Sequence, residues 1–420
     1  MSFEKKLMQM KGMLKNNNKP ASQKPRTAPM RPPQEQQWKE IGLTLKENKF
    51  GFVFEKKIDY PFDYRHGDVV LGELDRVLAA WKKTDYEHPF KLEGNGGLVF
   101  FDTETTGLGG TGAYIFLIGI LERLEDRFEM TQWIMPEPSH EAAFLYESNL
   151  WQAQDSVIYS YNGKSFDWPQ LHSRWTMHRG TLPKLPDPKQ IDLFHGTKRI
   201  WKNELQRLKL SVIEEQKLGF TRNGDVPGHL IPAIYLDAVK SGFPEGLAKV
   251  LYHNELDILS LVSLYIRSSD LLMEDLSTES SGAYTNIGKW YADLKQYDQS
   301  AAYLEHVTLE RGDAGALARY FLAVQKKRNG LNEEALRLFK EAAPHLRGTV
   351  EVEAWVHAAK LYEHQMKDPA QALVMTGFAK EAALHTKVRQ SILSDLVKRE
   401  SRLEEKKRKK AAESTVHRTR

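Results

Sequence analysis

The chain has 420 residues, 41% apolar and 28% charged, which predicts two or three globular domains rather than one. No apolar run approaches the ~20 residues of a membrane-spanning helix, and the absence of cysteine excludes disulfides, thiolate zinc sites and cysteine nucleophiles, so any metal must sit on oxygen or imidazole. The net charge of +4 hides a segregation: residues 1–33 carry +7 and residues 398–420 carry +6, leaving −9 on the body between them, a pattern of either solvated ends or a phosphate-seeking protein with an acidic metal site.

Lysines interrupt the N-terminal MSFEKKLMQMKGMLK, which predicts neither a signal peptide nor an acylation site, and hence a cytoplasmic chain. Residues 1–37 read as a disordered basic arm, since 16–37 are rich in Pro, Asn and Gln and have too little apolar surface to offset the entropy of ordering. Residues 38–95, with aromatics at Phe50–Phe54 and Tyr60–Tyr64, predict a short strand-bearing cap. From Gly96 the pattern becomes α/β. LVFFD (98–102), AYIFLIGIL (113–121) and RFEMTQWIM (127–135) read as three strands, the last two joined by a tight turn near Glu125-Asp126. Helical segments at 141–152 and 166–177 flank a strand at 156–162, a fifth strand is expected at 190–194, and a helix over 245–268 closes the domain. Beyond residue 280, Tyr297, Ala301 and Leu304 recur as Leu331, Ala335 and Leu338, 34 residues later. That period matches tetratricopeptide helix pairs, predicting repeats over 282–395 and then a basic tail, 396–420.

Three constellations carry chemistry. In LVFFDTETTGL the strand delivers Asp102 and Glu104, two apart and so on one face, where a divalent cation relieves their repulsion. Gly107 to Gly112 also spell G-x-G-x-x-G, but an aromatic, β-branched segment follows where the dinucleotide fingerprint requires a helix. In YNGKSFDWPQL, Asp167 lies near a helix start, either as a cap or as a third carboxylate delivered to the first strand's C-terminal end. In YHNELDILSL, His253 and Asp257 are four apart on the closing helix and share a face, whereas Tyr252 points about 140° away from Asp257.

Asp102, Glu104, Asp167 and Asp257, within FDTETTGL, YNGKSFDWP and HNELD, resemble the three motifs of the DEDD 3′-to-5′ exonuclease superfamily. The likeness covers about 96–268, and the texture of 208–219 and 228–235 resembles a bacterial branch that joins a ribonuclease H-like domain to helical repeats. The first motif is similar to proofreading subunits, whose base is a histidine five before the last acid. The YNGKSFD spacing is similar to family-B polymerase exonucleases, whose base is a tyrosine four before it; here His253 holds that place. The resemblance implies a ribonuclease H-like mixed sheet flanked by helices, followed by an all-α tetratricopeptide-like domain. It also implies hydrolysis of DNA or RNA phosphodiesters assisted by two divalent cations, Mg²⁺ or Mn²⁺, on the four acids. His253 would be the general base, and Leu108, Asn162 and Phe166 would contact the terminal nucleotide, with Lys164 near phosphate. The implied partners are single-stranded nucleic acid or 3′ ends, with a protein on the repeats. Two alternatives share these residues: a non-catalytic nucleic-acid-binding adaptor whose repeats recruit a protein, and a phosphoesterase acting on a nucleotide or coenzyme.

Overall fold

The residues described by a computed structural model are 30–92, 96–107, 112–202, 204–273, 279–310, 312–386 and 388–418. They fall into two compact units, one drawn from Met1–Lys198 and Leu205–Met273, the other from Arg199–Glu204 and Glu274–Arg420.

The first unit opens with α1 (Glu35–Lys39), β1 (Thr44–Asn48), β2 (Gly51–Pro61), the two-residue strands β3 (Arg65–His66) and β4 (Val69–Val70), and α2 (Glu73–Lys83). Then come β5 (Leu98–Thr105), β6 (Ile115–Arg123), β7 (Arg127–Ile134), α3 (Glu141–Glu147), β8 (Val157–Ser160), α4 (Asp167–Met177) and β9 (Lys189–Asp192). Helices α5 (Leu193–Ile200), α6 (Leu210–Lys217), α7 (Ile231–Ser241) and α8 (Glu245–Leu272) follow. Seven strands form one mixed sheet in the order β1-β2-β7-β6-β5-β8-β9. Pairings are antiparallel from β1 to β5 and parallel from β5 through β8 to β9. The continuous apolar runs of β5, β6 and β8 follow from helices covering the sheet: Phe100, Phe101, Ile118, Leu121 and Ile158 are all buried. Helix α8 lies against β5 and β6, and Gly119 makes that approach possible. A Cβ there would sit 2.0 Å from Asn254 Oδ1 and 2.5 Å from Ile258 Cδ1, so any side chain would force the helix away from the sheet.

Three segments differ from the sequence reading. Within the segment expected to be disordered, Gln34 is buried and donates to the Pro136 carbonyl at 3.3 Å; a few contacts to the folded body order what its composition alone would not. Of the strands in the expected cap, β1 and β2 are part of the main sheet, with Phe54 in register with Ile134, while β3 and β4 pair with each other in a separate two-stranded sheet. The C-terminal basic run is helical through Arg418, and three of its basic side chains share a buried partner.

That partner belongs to the second unit, built of α9 (Ser281–Asp293), α10 (Tyr297–Thr308), α11 (Asp313–Arg328), α12 (Asn332–Ala342), α13 (Thr349–His364), α14 (Pro369–Thr386) and α15 (Gln390–Arg418). Each helix packs on the next. Of the recurring small residues, Ala335 is fully buried, which lets its helix come close to its neighbours, whereas Ala301 is partly buried. Glu363 on α13, with its side chain fully buried, accepts from Arg399 at 2.7 Å, Arg402 at 3.0 Å and Lys406 at 2.7 Å. Burial pushes its carboxyl up, but Lys406 and Arg402 outweigh that and pull it down to about 2. A depressed carboxyl stabilises the fold above its unfolded pKa and loses that contribution as pH falls through the folded value. Glu363→Gln is therefore expected to cost on the order of 1–3 kcal/mol at neutral pH, and the gap from wild type in pH-dependent thermal melts should close between about pH 4.5 and 2.

Candidate active site

Strand β5 and helix α8 supply most of the site. Asp102 and Glu104 project from one face of β5, and Asp102 lies opposite Gly119 in the register with β6. Because Gly119 admits α8, Asn254 reaches across and donates to Asp102 Oδ2 at 2.8 Å while accepting from Gln132 Nε2 at 2.9 Å. Asp167 arrives from the first turn of α4, where Thr103 Oγ1 donates to its Oδ1. The loop before it is held by Asp192, which accepts from the backbone amides of Asn162 at 2.7 Å and Lys164 at 3.2 Å. Gly163 is required in that loop, since a Cβ would come within 2.5 Å of Ser160 Oγ.

His253 and Asp257 share a face of α8 as their spacing predicts, with His253 Nε2 3.5 Å from Asp257 Oδ2 and 3.9 Å from Glu104 Oε1. Tyr252 is 36% exposed; it lies three positions from Glu255, which accepts from Tyr60 Oη at 2.8 Å. The structure thus brings Asp102, Glu104, Asp167, His253 and Asp257 together, with Asn162 and Phe166 in the adjoining loop. Leu108 lies outside the described residues, and past the glycine run the chain continues as strand β6, so no helix follows to complete a dinucleotide cradle.

The electrostatics of the cluster are those of crowded acids. Burial first, then the charges of Asp257 and Asp167, hold Asp102 well above the usual carboxylate range against the Asn254 hydrogen bond. Burial, then Asp102 and Asp257, does the same to Glu104. Burial lifts Asp167 to about 6 although the Thr103 hydrogen bond pulls the other way. For His253 burial opposes the charged form, but the hydrogen bond to Asp225 and the charges of Asp257 and Asp225 outweigh it, so its pKa is raised. Among the described residues, Glu104, His253 and Asp257 offer three ligand atoms within 4.8 Å of one another. Crowded carboxylates with one imidazole form a donor set suited to a divalent cation, which would discharge the repulsion that burial intensifies.

Four contributors escape sequence reasoning. Arg222 donates to Asp257 Oδ1, to Glu214 through Nε and Nη2, each at 2.6 Å, and to Asp225 Oδ2 at 3.0 Å. Asp225 Oδ1 lies 2.7 Å from His253 Nδ1. Arg222 and Asp225 stand in TRNGDVPG, where Asn, Gly and Pro signal only a loop. Glu214 looks like an exposed helical acid. Asn254 did leave a trace, as a polar residue inside the apolar stripe of the closing helix.

A seven-stranded mixed sheet with clustered acids at β5 defines the class: residues 99–268 match the family model described as RNase_H superfamily. Over 354 residues, 81% of this chain and 85% of the relative, the protein is 36% identical to the uncharacterized protein YprB of Bacillus subtilis (strain 168). The chain belongs to the YprB family. Among solved structures, it is similar to the family B DNA polymerase of the archaeon Pyrobaculum calidifontis (TM-score 0.34, 16% identity, covering 51% of this chain and 30% of the polymerase). It is also similar to the zinc-bound complex of E. coli ExoI with single-stranded DNA (TM-score 0.25, 14% identity, 38% of this chain and 43% of the other). Among the described residues no helix is long and apolar enough to cross a membrane.

Proposed function

We propose that this protein is a cytoplasmic, metal-dependent 3′-to-5′ exonuclease that hydrolyses phosphodiester bonds of DNA or RNA. The observation that carries this reading is the meeting of four carboxylates from three distant segments beside β5, with His253 Nε2 turned toward two of them. Asp102, Glu104, Asp167 and Asp257 would hold two divalent cations, Mg²⁺ or Mn²⁺. When bound, these ions supply positive charge against that developing on the phosphoryl oxygens. His253 accepts the proton of the attacking water at Nε2. Phe166, 41% exposed, offers a ring on which a terminal base can stack, and Asn162 lines the same end of the substrate. The second unit serves as a tetratricopeptide-like platform for a protein partner.

The test is to incubate the full-length protein with 5′-end-labelled single- and double-stranded DNA and RNA, with Mg²⁺, Mn²⁺ or a chelator. Stepwise shortening from the 3′ end that stops on chelation is expected; no hydrolysis of any substrate, or digestion from the 5′ end, sinks the reading. His253→Ala should lower the rate by roughly 10²–10⁴-fold with metal affinity unchanged, as for loss of a general base. The proximity of His253 to Glu104 and Asp257 also favours a second role, that of nitrogen ligand, which a parallel loss of metal affinity in this variant would establish.

A further inference from the structure

The side chain packed behind His253 is a carboxylate with no part in the four-acid motif. Asp225 lies in the loop between α6 and α7, and its carboxylate is gripped from three sides. Its Oδ1 accepts from the Val226 amide at 2.7 Å and lies 2.7 Å from His253 Nδ1, while its Oδ2 accepts from Arg222 Nη1 at 3.0 Å. Each of its oxygens thus already accepts from an N–H donor, one of them a guanidinium, the surroundings of a carboxylate and not of a carboxylic acid. An ionised carboxylate has no proton to give, and the bond at 2.7 Å therefore requires that Nδ1 carry the hydrogen. The competing arrangement, in which Arg222 donates to a bare Nδ1, would have to use a contact of 3.4 Å and would leave two acceptors facing each other at the shorter one. With Nδ1 protonated, the neutral ring presents a lone pair at Nε2, the atom that faces Glu104 and Asp257.

We propose that Asp225 is a positioning residue: it fixes the tautomer and orientation of His253 so that Nε2 is bare toward the acidic cluster. The same device serves a general base and a metal-ligating histidine, since in both a carboxylate on one ring nitrogen orients the other. Arg222 adds to it by holding Asp225 and Asp257 at once, which ties the ring's support and the last acid of the cluster to one guanidinium.

The activity arm of the test rests on the exonuclease reading, and the spectroscopic arm does not. In full-length, metal-free protein with ¹⁵N-ring-labelled histidine at pH 9, well above the ordinary histidine range, the His253 signal is assigned by its loss in His253→Gln. The wild-type ring is expected as the Nδ1–H tautomer, and Asp225→Asn, whose amide can donate to Nδ1, should shift it toward Nε2–H. Asp225→Asn should also lower kcat by about 10- to 100-fold with KM little changed. A wild-type Nε2–H tautomer overturns the proposal without any variant, and so does an Asp225→Asn protein with wild-type tautomer and kcat. If the tautomer behaves as expected but no nucleic acid is hydrolysed by wild type, the nuclease reading falls and the positioning role stands.

Discussion

Asp102→Ala is expected to remove metal-dependent hydrolysis, lowering the rate by about 10³-fold or more, while the chain keeps its fold and its melting temperature stays level or rises. Asp102 is held far above the usual carboxylate range by burial and by Asp257 and Asp167; its ionised form destabilises the metal-free protein, so deleting the carboxylate relieves repulsion in the ground state. Among the described residues its side-chain hydrogen bond comes from Asn254, which keeps Gln132 as a partner through Oδ1. Asp257→Ala should be equally inactive and nearly neutral for folding, because Arg222 retains Glu214 and Asp225. The measurements are turnover of a 5′-labelled strand and thermal melting followed by circular dichroism. Wild-type turnover in either variant would remove these carboxylates from the chemistry, and a collapse of the melting transition would make Asp102 a structural residue.

Arg222→Met is expected to be the most destabilising single change near the site, by about 3–5 kcal/mol. Glu214 is fully buried, and Arg222, 10% exposed, is its bidentate partner. Ser260 Oγ also donates to Glu214 at 2.6 Å, which leaves His66 Nε2, 2.8 Å from Ser260 Oγ, as the donor into that hydroxyl. Burial, with the charge of Arg222, holds the His66 imidazole down to about 4, so it is neutral and gives Glu214 no counter-charge. Losing the guanidinium thus strands a buried carboxylate, whereas removing both charges in Arg222→Met/Glu214→Leu should recover much of the stability. Arg222→Lys should behave more like the methionine variant, because an ammonium cannot span three carboxylates as the planar fork does. Chemical denaturation of the four proteins checks this. A single methionine variant within about 1 kcal/mol of wild type would show that water reaches Glu214.

Much of the α/β unit was legible in the chain because its signals are local. Apolar β-branched runs such as VFF and IFLIGIL, bounded by turn residues, define strands β5 and β6 wherever they end up in space. The i,i+4 placement of His253 and Asp257 is a property of one helix, and the prediction that they share a face needs no knowledge of the fold. Order at the termini was less legible, since a basic run looks solvated until a buried acid such as Glu363 is known to lie beside it.

The sequence by itself determined the strands and the closing helix that frame the site and which acids stand in motif spacing. Only the tertiary structure decided that Asn254 meets Asp102 across 152 residues, that Arg222 reaches Asp257 across 35, and that Asp225 backs His253 across 28. The physical reason is one of range. Periodicity and turn chemistry act over a few residues, whereas these contacts exist because α8 packs onto β6 at Gly119 and brings separate loops to one sheet end.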